Sequence, residues 1–212
     1  MTTQVETRHR ILYSGLELLS ELGLSRVTLG VLATRVGLSK SGLFAHFRSK
    51  EALQIALLGE TGRIANAVVV APAMDADAGL ARLRALFAAW VGWTTRAGLP
   101  GGCPVAAALF ELDDDIEDQV RATVLDMEVR WRGLLGQLTS DAVRLGQLAR
   151  DLDVEQFVFE VCGIYLSHHA SRRFVRDPCA DRRAAVAFEA LLARSRPDQA
   201  TPSLQPKPPE PS

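Results

Sequence analysis

The sequence predicts an all-α fold, and three observations carry that prediction. Apolar residues recur at helical 3–4 spacing along most of the 212-residue chain. The one run with strand character, Val68-Val69-Val70, is too isolated to pair. Prolines mark the boundaries: Pro72, Pro100, Pro104 and Pro178 separate stretches that read as helix, and the other six of the ten fall between Pro197 and Pro211.

The first helix is expected over Thr7–Leu22. There Ile11, Gly15, Leu18 and Leu22 lie beside Leu12, Leu16 and Leu19 as one broad apolar stripe. Gly23 ends it as a cap able to take positive φ. A second helix starts behind the Thr28 hydroxyl, turns Leu29, Leu32, Ala33 and Val36 inward and stops at Gly37. A third, very short, is N-capped by Ser39 and buries Leu43 and Phe47. A fourth opens at Ser49-Lys50-Glu51, its acid well placed against the helix dipole, and runs to about Val70. Beyond Pro72, helices are expected near 75–97, 104–111, 115–140, 154–171 and 181–196. Residues 197–212 hold one aliphatic beyond alanine, Leu204, too little to offset ordering entropy, so a disordered tail is expected there.

Composition narrows the classes. At 48% hydrophobic and 23% charged the chain has the means to bury a core. No apolar run reaches the ~18 residues of a membrane span, and Met1–Arg10 is too polar for a signal peptide. Cys103, Cys162 and Cys179 are odd in number and widely spaced without C-x-x-C, which points to a reducing cytoplasm and no zinc site. The net charge of −1 hides a dipole: residues 1–50 carry seven bases and three acids, and the remainder 17 bases and 22 acids. A basic head on an acidic body suits a protein that approaches phosphate with one end.

Two short helices joined by a glycine turn form a helix-turn-helix, whose second helix must project an exposed face into a groove while both pack on a third. Ser39, Lys40, Ser41, Gly42 and Ala45 keep that face small and polar, with Lys40 its only long donor. In a chain with 24 basic residues, lysine occurs only at Lys40, Lys50 and Lys207, which makes the first two informative.

From Thr28 to Leu53 the order Thr-Leu…Leu-Ala…Val-Gly-Leu-Ser-Lys-Ser-Gly-Leu-Phe…His-Phe…Ser-Lys-Glu-Ala-Leu closely resembles the DNA-binding domain of TetR/AcrR-type bacterial regulators. The likeness covers residues 7–60, expected as the DNA-binding domain, with 61–196 as a helical ligand-binding and dimerisation domain. It implies phosphate contacts from Thr28, His46 and Lys50, and base or groove contacts from Ser39, Lys40, Ser41 and Ala45, with Gly42 allowing close approach to the duplex. Phe44 stands where the family usually has tyrosine, which keeps the packing ring and removes a hydroxyl from a DNA-facing position. The resemblance further implies a homodimeric repressor of double-stranded operator DNA, pairing through the last two helices into a four-helix bundle.

Those helices carry apolar rows: Phe157, Val161 and Ile164 beside Val158, Cys162 and Tyr165, then Ala184, Phe188 and Leu191. An intrachain core and a dimer seam both produce such rows. A two-fold dimer suits function, because one short reading helix recognises few bases and paired half-sites mirror the symmetry. The middle helices are rich in aromatics, with Phe87, Trp90 and Trp93 along one helical side. Core packing and an apolar pocket both account for this; on the second reading Trp90, Trp93, Phe110, Met127, Trp131, Tyr165 and His169 line a site for a small apolar or aromatic ligand. In Pro100-Gly101-Gly102-Cys103-Pro104, Pro104 suits a first helical turn; Cys103 reads either as a small residue in a tight loop or as a sensing thiol whose pKa the helix N-terminus lowers. A regulator without an inducer, switched at Cys103 or by a protein partner, is the alternative. An enzyme is the rival class. His168 and His169, adjacent on a helix, point ~100° apart and cannot share a site. The run Asp113-Asp114-Asp115, near Glu111 and Glu117, sits at an expected helix start where the dipole accounts for it. No nucleophile elbow, phosphate loop or glycine fingerprint occurs, so no catalytic residue, cofactor or metal is assigned.

Overall fold

The computed structural model describes residues 4–112 and 119–197, and among them there is no strand. The acidic run Asp113–Asp115, Glu117 and all but the first residue of the proline-rich tail lie outside the described residues. Three helices form the head: α1 (Gln4–Leu22), α2 (Leu29–Val36) and α3 (Lys40–Phe44). Gly23 at φ 83° and Gly37 at φ 68° end α1 and α2 in the left-handed region. The side chains of Thr28, Ser39 and Ser49 each accept an amide hydrogen bond three residues on and so start α2, α3 and α4 (Lys50–Ala65).

The chain does not leave the helix at Val70. It widens into a π segment, Asn66–Val70, and continues as α5 (Ala71–Met74). Pro72 has no N–H for the Val68 carbonyl and its ring crowds that turn; the wider π turn relieves both. The resulting rod, Lys50–Met74, is the one described helix long and apolar enough to cross a membrane by length and composition. Glu60 and Arg63 break its apolar run and pair with each other at 2.6 Å, and Leu53, Leu57, Leu58, Val69 and Ala73 bury one side of it in the core.

The helix expected over 75–97 is two: α6 (Leu80–Trp90) and α7 (Trp93–Arg96). Val91 turns extended and Gly92 takes φ 71°, a conformation open to glycine, so Trp93 begins a new axis. There follow α8 (Pro104–Glu111), α9 (Gln119–Arg144), α10 (Val154–Ala170) with a π segment at Ser171–Val175, and α11 (Ala180–Arg194). Helices α1 and α9 pack on α4, α6 and α10 on α9, and α11 on α10. The apolar rows of α10 and α11 point inward: Phe157, Val158, Val161, Cys162, Tyr165, Ala184, Phe188 and Leu191 are buried within the chain. They are intrachain core, which leaves the opposite faces of these helices open.

Candidate functional site

The first candidate region is the outer side of α3 and its cap. Leu43 and Phe47 anchor it inward, while Ser39, Lys40, Ser41 and Ala45 are exposed, Phe44 is 52% exposed, and Gly42 and His46 are half-buried. Ser39 Oγ accepts the Gly42 amide at 3.0 Å and lies 3.0 Å from Ser41 Oγ. Thr28 Oγ1 accepts the Val31 amide at 3.2 Å. Both hydroxyls are thus engaged as caps, which orients the free amides of the first helical turns outward. Lys50 Nζ donates to the Ser25 carbonyl at 2.9 Å, so its charge is held over the loop between α1 and α2. Arg26 and Arg48, exposed beside Thr28 and Lys50, add charge to the same end of the chain. The family motif does not mark them; the charge split of the sequence does.

The second region is a cavity of about 490 Å³ between α4, its π segment, α8, α9 and α10. Trp90 stacks on Tyr165 with ring centroids 3.8 Å apart, and Trp131 meets Trp90 edge-on at 4.6 Å. Trp93 Nε1 donates to the Tyr165 hydroxyl at 3.0 Å. Five of the seven residues expected from sequence line it: Trp90, Trp93, Met127, Trp131 and Tyr165. Phe110 does not; it is 75% exposed on the far side of α8. His169 does not either, and lines a separate cavity of about 40 Å³. A ring in the right stretch of sequence does not reveal which way its helix faces. Missed from sequence is a whole wall supplied by the rod, with Leu58, Gly62, Ala65 and Val69. The small residues Gly59, Gly62 and Ala65, which leave room beside a helix, were the available signal.

Charges at the rim are matched within the chain: Glu128 with Arg132 at 2.7 Å, and Arg130 with Asp126 at 2.5 Å. Burial pushes the Tyr165 hydroxyl well above its ordinary pKa and the Cys162 thiol up to about 11. At Cys103 the lowered-pKa alternative is overturned. The residue does precede α8, but it is buried in the cavity wall. That burial outweighs the amide hydrogen bonds of the helix start and raises the thiol rather than lowering it. His168 and His169 also overturn their expectation: adjacent on α10 and offset by ~100°, both nevertheless line that small cavity, with His168 Nε2 lying 2.8 Å from Asp181 Oδ1.

Between the two regions is a joint. The Gly101 amide donates to Ser20 Oγ at 3.1 Å and the Gly102 amide to the Ser20 carbonyl at 2.9 Å. Arg173 Nη2 donates to the Glu21 carbonyl, and the Ser25 amide to Glu111 Oε2, both at 2.9 Å. A Cβ on Gly101 would sit 1.8 Å from the Ser20 carbonyl oxygen, so only glycine permits this approach. The next residue but one is Cys103, in the cavity wall.

Comparison with known proteins agrees with both halves. The description "Bacterial regulatory proteins, tetR family" matches residues 11–57, and "Tetracyclin repressor-like, C-terminal domain" matches 79–188. A search of curated proteins finds no significant sequence match. Among solved structures, a TetR-family regulator from Agrobacterium tumefaciens superposes with TM-score 0.79 at 18% identity, covering 92% of this chain and all of that one. TetR-family regulators from Chloroflexus aurantiacus (TM-score 0.77, 20% identity, 89% and 93% covered) and Cytophaga hutchinsonii (0.76, 20%, 90% and 94%) have the same fold. The C-terminal match alone spans more than half of the residues and the N-terminal one falls on the helix-turn-helix, and on those matches the chain belongs to the TetR family of bacterial transcriptional regulators.

Proposed function

We propose that the protein is a cytoplasmic homodimeric repressor, released from its operator when a small apolar molecule fills the 490 Å³ cavity. Residues 7–60 read DNA, and 61–196 pair and sense. Thr28, His46 and Lys50 meet phosphates, and Ser39, Lys40, Ser41, Gly42 and Ala45 approach base edges, with Phe44 packing beside them. Pairing uses the open faces of α10 and α11, where Phe159 and Val186 are 63% and 61% exposed. Exposed Gly163, Ala170, Ala185 and Ala190 on those faces let two helix pairs come close.

The joint carries the reading. Its hydrogen bonds fasten the last turn of α1 to a loop whose next residue, Cys103, is cavity wall, so a molecule that displaces the wall moves the head. By linkage, a ligand favouring a head spacing other than that of adjacent major grooves weakens DNA binding, and DNA weakens the ligand equally. The test is fluorescence anisotropy on the DNA upstream of the protein's own gene, with apolar compounds selected for quenching its tryptophans. Two subunits per palindromic site and release by a quenching compound are expected. Compounds that saturate the cavity and leave DNA affinity unchanged sink the inducer reading while leaving the DNA reading standing.

A further inference from the structure

The small cavity behind the Cys103 wall has a chemistry of its own. It holds about 40 Å³, room for roughly three waters at ~10–15 Å³ each. Gly102, His168, His169, Arg172 and Arg173 line it. Its cations outnumber its anions. Asp181, a carboxylate in contact with two of the lining residues, is already shared: His168 Nε2 bonds it at 2.8 Å and Arg172 Nη1 at 3.0 and 3.1 Å. Among the described residues, the Arg173 guanidinium reaches a main-chain carbonyl, that of Glu21, and no carboxylate. Because a carboxylate accepts, His168 Nε2 carries the hydrogen. Its Nδ1 is buried without a hydrogen-bond partner on a side chain 5% exposed.

The geometry points to a monoanion subsite: the cavity takes one carboxylate or halide, held by the Arg173 guanidinium and a ring N–H of His169. One negative charge balances Arg173, whereas a phosphate-sized dianion exceeds both the space and the charge. The field at the site agrees. His169 is held below its ordinary pKa by burial first, then by the Arg173 charge and the neighbouring His168, and an anion beside Arg173 offsets that charge. The anion has two sources. It is a free solution ion, or it is the carboxylate of a molecule whose apolar body fills the large cavity, since Trp93, Cys103 and Tyr165 line both cavities. The subsite stands apart from the inducer reading: a bound halide requires nothing of the large cavity. Since Arg173 also grips the end of α1, occupancy stiffens the joint.

Chlorine-35 NMR line width of the full chain, titrated with chloride in a gluconate background, tests it. Saturable broadening is expected, displaced by acetate. It should weaken at least tenfold in Arg173→Gln and in Gly102→Ala, whose new Cβ would stand 2.6 Å from the His169 ring and 2.8 Å from Arg173. Circular dichroism and thermal melting verify that both variants fold. In a second arm, tryptophan quenching compares 2-naphthoate with neutral 2-acetylnaphthalene. If the acid binds better and displaces chloride, the carboxylate is the ligand's own; if chloride and acetate saturate and the acid shows no preference, the anion is free. Both support the subsite. It is overturned if the broadening never saturates and the acid has no advantage, or if binding survives unchanged in both variants.

Discussion

The head and the body are packed in opposite ways. In the head and the first turns of α4, branched aliphatics close on one another: Ile11, Leu16, Leu19, Leu32, Leu43, Leu53 and Leu57 have 0% exposure. In the body, flat rings stand as walls, with Trp90 stacked on Tyr165 and braced by Trp131, around about 490 Å³ of open space. Close-packed aliphatics leave a side chain one place to be, which suits an element that must present a fixed face to DNA. Large rigid rings span a gap without collapsing into it, which keeps the cavity open. Rigidity and room are segregated along one chain, and the joint at Ser20 is where they meet.

That contrast is open to attack, most severely at Leu57. A Cβ on Gly15 would sit 2.6 Å from Leu57 Cδ2, so α1 and α4 touch there. Leu57→Ala should destabilise by ~2–5 kcal/mol in urea denaturation, because a filled site cannot collapse. Leu134→Ala, half-buried on the cavity wall, should lose only ~1 kcal/mol by the area it buries. Equal losses would erase the distinction between the halves. Gly101→Ala comes next: ~1–3 kcal/mol from forcing a methyl against the Ser20 carbonyl, with DNA release uncoupled from cavity filling. Tryptophan quenching alongside anisotropy reads both. Lys50→Ala should then weaken all duplexes alike and lower the salt slope by ~0.9, while Lys40→Ala also relaxes sequence preference. An unchanged slope removes Lys50 from the phosphate set.

The smallest effect is a titration in the body. Burial pushes Asp181 up, but the His168 hydrogen bond and the Arg172 charge outweigh it and hold the carboxyl below its ordinary 3.8. A carboxyl with a depressed folded pKa contributes stability above its unfolded value and loses it as pH falls through the folded one. Thermal melts of Asp181→Asn and the parent should therefore converge below pH ~3.8 and differ slightly at neutral pH.

The same division governs how legible the chain was. Caps at Thr28, Ser39 and Ser49, the Gly23 and Gly37 stops and the inward leucines are local features, and all were readable from neighbours in sequence. The body is decided by distant partners. The break at Gly92 and the π turn ahead of Pro72 respond to packing and proline geometry that a periodicity does not register. Five aromatic and methionine positions fall on the cavity, while Phe110 faces solvent, because composition marks a ring without its direction. At Cys103 the reason is related: the helix start is local, but the burial that outweighs it exists only once the body has packed around the thiol.

At the joint, the head offers main-chain groups: the carbonyls of Ser20 and Glu21 and the amide of Ser25, with Ser20 Oγ its one side-chain contribution. Nothing in the fastening consults the residues that read bases. A foreign head that ends its first helix with serine at the same turn, and matches the packing of α1 on α4, is therefore expected to dock on this body, which circular dichroism and melting of the graft would check. The body is in that sense a socket.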